Sequence, residues 1–213
     1  MTPTAKNYSP FDQAYDFFNA RLFDGRLPRC LITMQRGRKF YGYFAPSRFG
    51  APEGIAKTDE IAMNPTHFGS RKAEEVLSTL VHEMTHVEQQ HFGAPSRAGY
   101  HNKEWAGLMR RVGLIPSSTG APGGKETGQA VSHYIAEGGR FAEAVAELMQ
   151  DGFRLAYVEL WSDDEAEAKA KKKNASKTKY CCPSCDANAW AKPGANLICG
   201  DCDEQMQAEL AED

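Results

Sequence analysis

His82, Glu83 and His86 form an H-E-x-x-H pattern within Glu75-Val76-Leu77-Ser78-Thr79-Leu80-Val81-His82-Glu83-Met84-Thr85-His86. Two histidines four apart are about one helical turn from each other, so both imidazoles project from one face and can grip a single metal ion. Glu83 follows the first of them. Its carboxylate can reach a metal-bound water without ligating, where a general base for amide hydrolysis is needed. A solvated histidine pair normally sits among charges, whereas Leu80, Val81 and Met84 surround this one. That context favours a metal site over a polar helix edge.

A catalytic zinc takes a third protein ligand and keeps one position open. His91 lies five residues past His86, which turns its side chain well over a quarter turn away. The metzincin spacing fails too, because Phe92 stands where a ligand belongs and Gln89 where Gly belongs. The better candidate is His101, in Gly99-Tyr100-His101-Asn102-Lys103-Glu104-Trp105, and Glu104 competes with it. Peptide hydrolysis at zinc also calls for a donor to the tetrahedral oxyanion, for which His133, Tyr134 and Tyr100 are candidates.

Such residues must be held by regular elements. Ala73, Val76, Leu77, Leu80, Met84 and Val87 recur at three-and-four spacing and predict an amphipathic helix around the motif. Phe11, Ala14, Tyr15, Phe18 and Leu22 predict a first helix over 11–22, stopped by Asp24-Gly25. Cys30–Met34, Phe40–Phe44 and Glu60–Asn64 read as short strands ahead of the motif. Trp105, Leu108, Met109 and Val112 give a helix ended by Gly113, and Phe141 to Met149 gives another. Phe153 to Leu160 reads as a closing strand. The Gly/Pro-rich loop 116–128 is no P-loop, since Glu126 stands where Ser or Thr would bind magnesium, and it reads as a plain surface insertion or as a rim or lid of the cleft.

A second metal signal lies near the C-terminus, where Cys182-Pro183-Ser184-Cys185 and Cys199-Gly200-Asp201-Cys202 are separated by thirteen residues. Four thiolates in this pattern suit a closed structural zinc, which a piece this small needs in order to fold. Cys181 adjoins Cys182 and competes with it, although the C-P-x-C spacing favours Cys182. Trp190 and Lys192, between the knuckles, suit base stacking and phosphate contact, while the acids after Gly200 oppose it.

Residues Ala14 to Asn19, Leu22 to Pro28, the motif His82 to His86, and His101 with Glu104-Trp105 resemble the SprT-like zinc metalloprotease family over roughly residues 10–115. The resemblance implies His101 as third ligand, with the fourteen residues between His86 and His101 matching the family spacing. Asn102 stands where the family has Gly, and Trp105 where it has Phe. The resemblance further implies an α+β fold, a minimal zincin-type metalloprotease domain with a small C-terminal zinc ribbon, and DNA-bound or DNA-crosslinked proteins as substrates. In zincins the strand before the motif helix commonly pairs with extended substrate, which here points to Ile61–Asn64, with an ordinary sheet strand that meets no substrate as the alternative.

The expected organisation is a zincin-type domain over 8–161, a charged Lys-rich linker over 162–179 and a zinc ribbon over 180–206. The expected cofactors are two zinc ions, one catalytic and one structural. Expected partners are a protein or peptide substrate and single-stranded DNA, held through the ribbon and the linker. Seven lysines against one aspartate over 168–194, then six acids and no base over 200–213, show that the net charge of −3 averages opposite local charges. No apolar run is long enough to span a membrane, and the first eight residues lack the apolar core of a signal peptide, so a cytoplasmic protein is expected. The rival expectation is a DNA- or protein-binding adaptor that keeps the fold without turnover.

Overall fold

The computed structural model describes residues 1–54, 56–159 and 177–209. It is α+β, in two compact units, Met1–Leu160 and Trp161–Asp213. The expected linker falls almost wholly outside the described residues. Among those described, no helix is long and apolar enough to cross a membrane.

Helix α1 (Pro3–Leu22) starts earlier than its apolar stripe suggested. Thr2 caps it by accepting from Ala5 N at 3.3 Å, and the helix runs on through Pro10, which reads in sequence as a boundary. Its buried face, Phe11, Ala14, Tyr15, Phe18 and Leu22, is the one the periodicity gave. Three strands follow: β1 (Leu31–Met34), β2 (Gly42–Gly50) and β3 (Lys57–Met63). Their order is β1-β3-β2, with β1 parallel and β2 antiparallel to the central β3.

Helix α2 (Ala73–Phe92) carries the motif and buries Val76, Leu77, Leu80, Val81, Met84 and Val87 in the core. Its start is fixed by Glu75, whose carboxylate accepts from Lys72 N at 2.9 Å. Helix α3 (Lys103–Val112) is capped by Asn102, which accepts from Trp105 N at 2.9 Å, and ends at Gly113 in the left-handed region. Strands β4 (Leu114–Ser117) and β5 (Ser132–Ile135) pair antiparallel, so the expected loop 116–128 begins inside a strand. Helix α4 (Arg140–Gln150) packs Phe141 on Phe18, ring centroids 5.6 Å apart.

The closing strand expected over 153–160 is absent from its described part, 153–159, which carries no regular element. Phe153 is buried against Phe11, ring edge to ring face at 6.3 Å, so a single side chain anchors the segment where backbone pairing was expected. The second unit holds β6 (Thr178–Cys181), β7 (Asn188–Ala191) and β8 (Gln207–Ala208) in the order β7-β6-β8. Tyr180 is its buried pivot, donating to Lys192 O and accepting from Ala195 N, both at 3.0 Å.

Candidate metal centres

Helix α2 and the residue before α3 bring His82, His86 and His101 together, with one ring nitrogen of each lying within 4.8 Å of the others. Burial holds all three imidazoles below their ordinary pKa, His86 at about 3, so each ring is neutral and offers a lone pair. Gly128 clamps the third of them: its carbonyl accepts from His101 N at 2.8 Å and lies 3.3 Å from Nδ1. With Nδ1–H so directed, His101 presents Nε2. Trp105 packs against all three rings, at 4.3 Å from His101, and stacks on His86 with 18° between planes. Its Nε1 is buried and has no hydrogen-bond partner among the described residues.

Glu104, the competing ligand, lies elsewhere. Its carboxylate accepts from Gln89 Nε2 at 2.7 Å and Ala94 N at 2.9 Å, tying the turn between the helices. His91 faces Asp59 at 2.7 Å, away from the cluster as the spacing predicts.

Glu83 is 5% exposed, and burial pushes its carboxyl up to about 8, opposed by the backbone N–H of Phe44, which donates to it. Asn64 N donates to Tyr41 O at 2.9 Å, so alternation along the ladder turns Tyr41, Tyr43 and Ala45 toward β3 and leaves Gly42 and Phe44 facing the free edge. Gly42 is needed there. A Cβ on it would lie 2.9 Å from Ala62 O, 2.9 Å from Thr79 Cγ2 and 3.3 Å from Glu83 Oε1. Neither the Phe44 contact nor this close approach had a signal in sequence.

The three histidines and Glu83 line an open cleft of ≈ 700 Å³ whose walls are β2, the turn 95–100 and residues 129–133. Tyr100 lines it, 37% exposed, whereas Tyr134, one step along β5 from His133, does not. His133 does, but neither of its nitrogens is free. Nδ1 is 3.0 Å from His82 Nδ1 and Nε2 is 2.8 Å from Ser78 Oγ, which corrects the expectation of an oxyanion donor. The substrate strand also needs correction. Ile61–Met63 is central in its sheet, with both edges paired, and the strand with a free edge on the cleft is β2.

In the second unit, Cys182, Cys185, Cys199 and Cys202 bring their four sulfurs within 4.8 Å of one another. Cys185 and Cys199 Sγ are 3.6 Å apart, close to the edge of about 3.8 Å that a tetrahedron with Zn–S near 2.3 Å requires. The knuckles match each other: Asp186 N donates to Cys182 O and Asp203 N to Cys199 O, with both aspartates at positive φ. Backbone N–H groups of Ser184 and Cys185 lower the Cys182 thiol to about 7, whereas the Cys185 thiol is raised and its hydrogen bond with Cys202 pushes Cys202 up as well. Cys181 stays outside the cluster, on β6. Trp190, 62% exposed, faces Lys179 across the β6–β7 pair, and Lys192 follows one residue beyond β7.

The SprT-like family model matches residues 11–123, a little over half of the chain. The chain belongs to the SprT-like family. Its domain of that type therefore contains the helix with the H-E-x-x-H motif, His101 and β2. A curated relative of this SprT-like chain, named as an uncharacterized protein in the mucB 3' region of Salmonella typhimurium, is 48% identical over 59 residues, covering 28% of this chain and 80% of the relative. No solved structure matches. Both clusters have donor sets compatible with zinc.

Proposed function

We propose that the chain is a zinc-dependent endopeptidase whose catalytic ion is held by His82, His86 and His101. The observation that carries this reading is Glu83: a desolvated carboxylate beside three neutral imidazoles, oriented by Phe44 N–H, at the floor of an open cleft. A structural zinc site has no use for such a group. When bound, zinc supplies Lewis acidity toward a water and a substrate carbonyl.

The chain's own residues supply the rest. The outward backbone groups of Gly42 on β2 receive an extended peptide as an added strand, which lays one carbonyl across the cleft floor. Glu83 takes the proton of the attacking water and returns it to the leaving amine. Tyr100, which lines the same cleft, is the candidate donor to the oxyanion.

Substrates of this reading are proteins bound or crosslinked to DNA. Trp190, Lys179 and Lys192 on the ribbon support contact with single-stranded DNA through stacking and phosphate pairing. Cysteines free of disulfides at the ribbon suit a reducing compartment, which supports a cytoplasmic setting. The test incubates purified protein with an unstructured DNA-binding protein, with and without single-stranded DNA, beside Glu83→Gln. Fragments from wild type alone are expected, increased by DNA, with zinc retained in the variant. Cleavage by Glu83→Gln refutes the general-base role, and no cleavage in any lane favours an adaptor.

A further inference from the structure

We propose that His133 positions His82 as a metal ligand, through an imidazole-to-imidazole hydrogen bond whose direction Ser78 sets. This inference rests on the three-histidine reading above and assigns His133 a role outside the reaction itself.

The direction follows from counting protons. Ser78 Oγ donates its single hydrogen to Glu75 O, 2.9 Å away. Toward His133 Nε2, at 2.8 Å, the same oxygen has only lone pairs to offer, so Nε2 carries a hydrogen. A neutral ring protonated at Nε2 has its lone pair at Nδ1. That atom is 3.0 Å from His82 Nδ1, so His82 must be the donor there. The lone pair of His82 is then left at Nε2, free for a metal.

The opposite polarity would be disabling. If Ser78 donated to His133, His133 Nδ1–H would point at His82 Nδ1 and the hydrogen of His82 would move to Nε2. The ligand atom would be blocked. One feature selects the productive direction: the serine proton is held by the Glu75 carbonyl, which also accepts from Arg71 at 2.5 Å. Metal-bound histidines usually donate their other N–H to a carbonyl or carboxylate, as His101 does to Gly128. His82 uses a second imidazole in that place.

The test loads the full chain with zinc and follows release to a chromophoric chelator, where the histidine site and the four-cysteine site give separate phases. His133→Leu removes the acceptor, His133→Gln restores an acceptor and a donor on one amide, and Ser78→Ala removes the atom that sets the direction. Loss of such a partner typically weakens metal binding about 10–100-fold, so the histidine-site phase of His133→Leu should accelerate by that factor. His133→Gln should recover most of it, and Ser78→Ala should show a several-fold acceleration. Cobalt substituted at the histidine site should show a shifted visible spectrum in His133→Leu.

An unchanged histidine-site phase and cobalt spectrum in His133→Leu overturn the proposal, the more so if cleavage is lost while the metal is held. If that variant does not fold, Ser78→Ala decides: faster release supports the relay, and wild-type release overturns it. Wild-type protein that shows the four-cysteine release phase and no histidine-site phase refutes the three-histidine reading itself, a result separable from failure of the relay because it needs no variant.

Discussion

Gly42→Ala tests the coupling of the sheet edge to Glu83. The added methyl would lie 2.9 Å from Ala62 O and Thr79 Cγ2 and 3.3 Å from Glu83 Oε1, against ordinary contacts of at least 3.4 Å. Ala62 O belongs to the central strand β3 and Thr79 is 4% exposed on α2, so neither can withdraw far. Strand β2 must therefore move off by several tenths of an ångström and draw Phe44 N–H away from the carboxylate. Overpacking of this kind costs about 1–3 kcal/mol. At roughly 2–4 °C per kcal/mol for a chain this size, melting falls by about 2–12 °C. A full ångström of misplacement costs about a hundredfold in rate, so a shift of this smaller size should cost about tenfold in kcat. Thr79→Ser deletes Cγ2 and keeps the hydroxyl that Arg71 bonds. Combined with Gly42→Ala it should recover part of both losses, with a coupling above about 0.5 kcal/mol in the double-mutant cycle. Calorimetry and the cleavage assay read the two effects. Wild-type melting and cleavage in Gly42→Ala, or strict additivity with Thr79→Ser, would refute the reasoning.

Other perturbations separate stability from chemistry. Glu88 is 1% exposed and accepts from both Arg26 and Arg111, tying the turn after α1 and helix α3 to α2. Both arginines are about two-fifths exposed and can rehydrate, so Glu88→Gln should cost about 1–3 kcal/mol, below the 3–5 of a fully buried pair, seen as a lower urea midpoint at constant m. Cys199→Ser should halve the zinc content and collapse the ribbon's amide dispersion by NMR, because metal affinity is the folding energy of so small a unit. Burial pushes the Cys30 thiol up to about 11. Folding therefore keeps it protonated, and that contribution to stability is fully present below the ordinary thiol pKa and lost as pH rises toward 11. At pH 8 its alkylation should run about a hundredfold slower than that of an ordinary thiol, rising with pH until near 11.

The motif was legible because its chemistry demands particular side chains at a helical period, and the same holds for the two C-x-x-C knuckles. His101 needed more, since Glu104 competed with it. Only the folded turn shows the Glu104 carboxylate spent on Gln89 and Ala94 N. Strand order was not legible at all. β3 stands just before α2 in sequence, yet pairing with both β1 and β2 removes it from the cleft edge, and that pairing is non-local. The stretch 153–159 has strand-like composition without a partner strand, so composition misled. His133 offered a donor by residue type, but which of its nitrogens donates depends on Ser78, fifty-five residues earlier, and on where the proton of Ser78 goes.

Helix α2 also explains why the site is this dependent on its surroundings. Its apolar stripe is what hydrophobic periodicity reports, but Ser78, Thr79, Glu83 and Gln89 on its other side are 5% exposed or less. Polar groups so buried cost about 1–3 kcal/mol each unless bonded. Each is bonded, and to a different element: Ser78 to β5 through His133, Thr79 to Arg71 ahead of the helix, Glu83 to β2 through Phe44, and Gln89 to Asn102 and Glu104 around the start of α3. The walls of the cleft are thus registered against α2 one polar contact at a time. Asn102, where the family has Gly, belongs to this scheme, since it caps α3 and holds Gln89 at once. A change in any wall that breaks its contact shifts that wall relative to the three histidines without touching them, so substitutions such as Gly42→Ala and Ser78→Ala should impair the site while the motif stays intact.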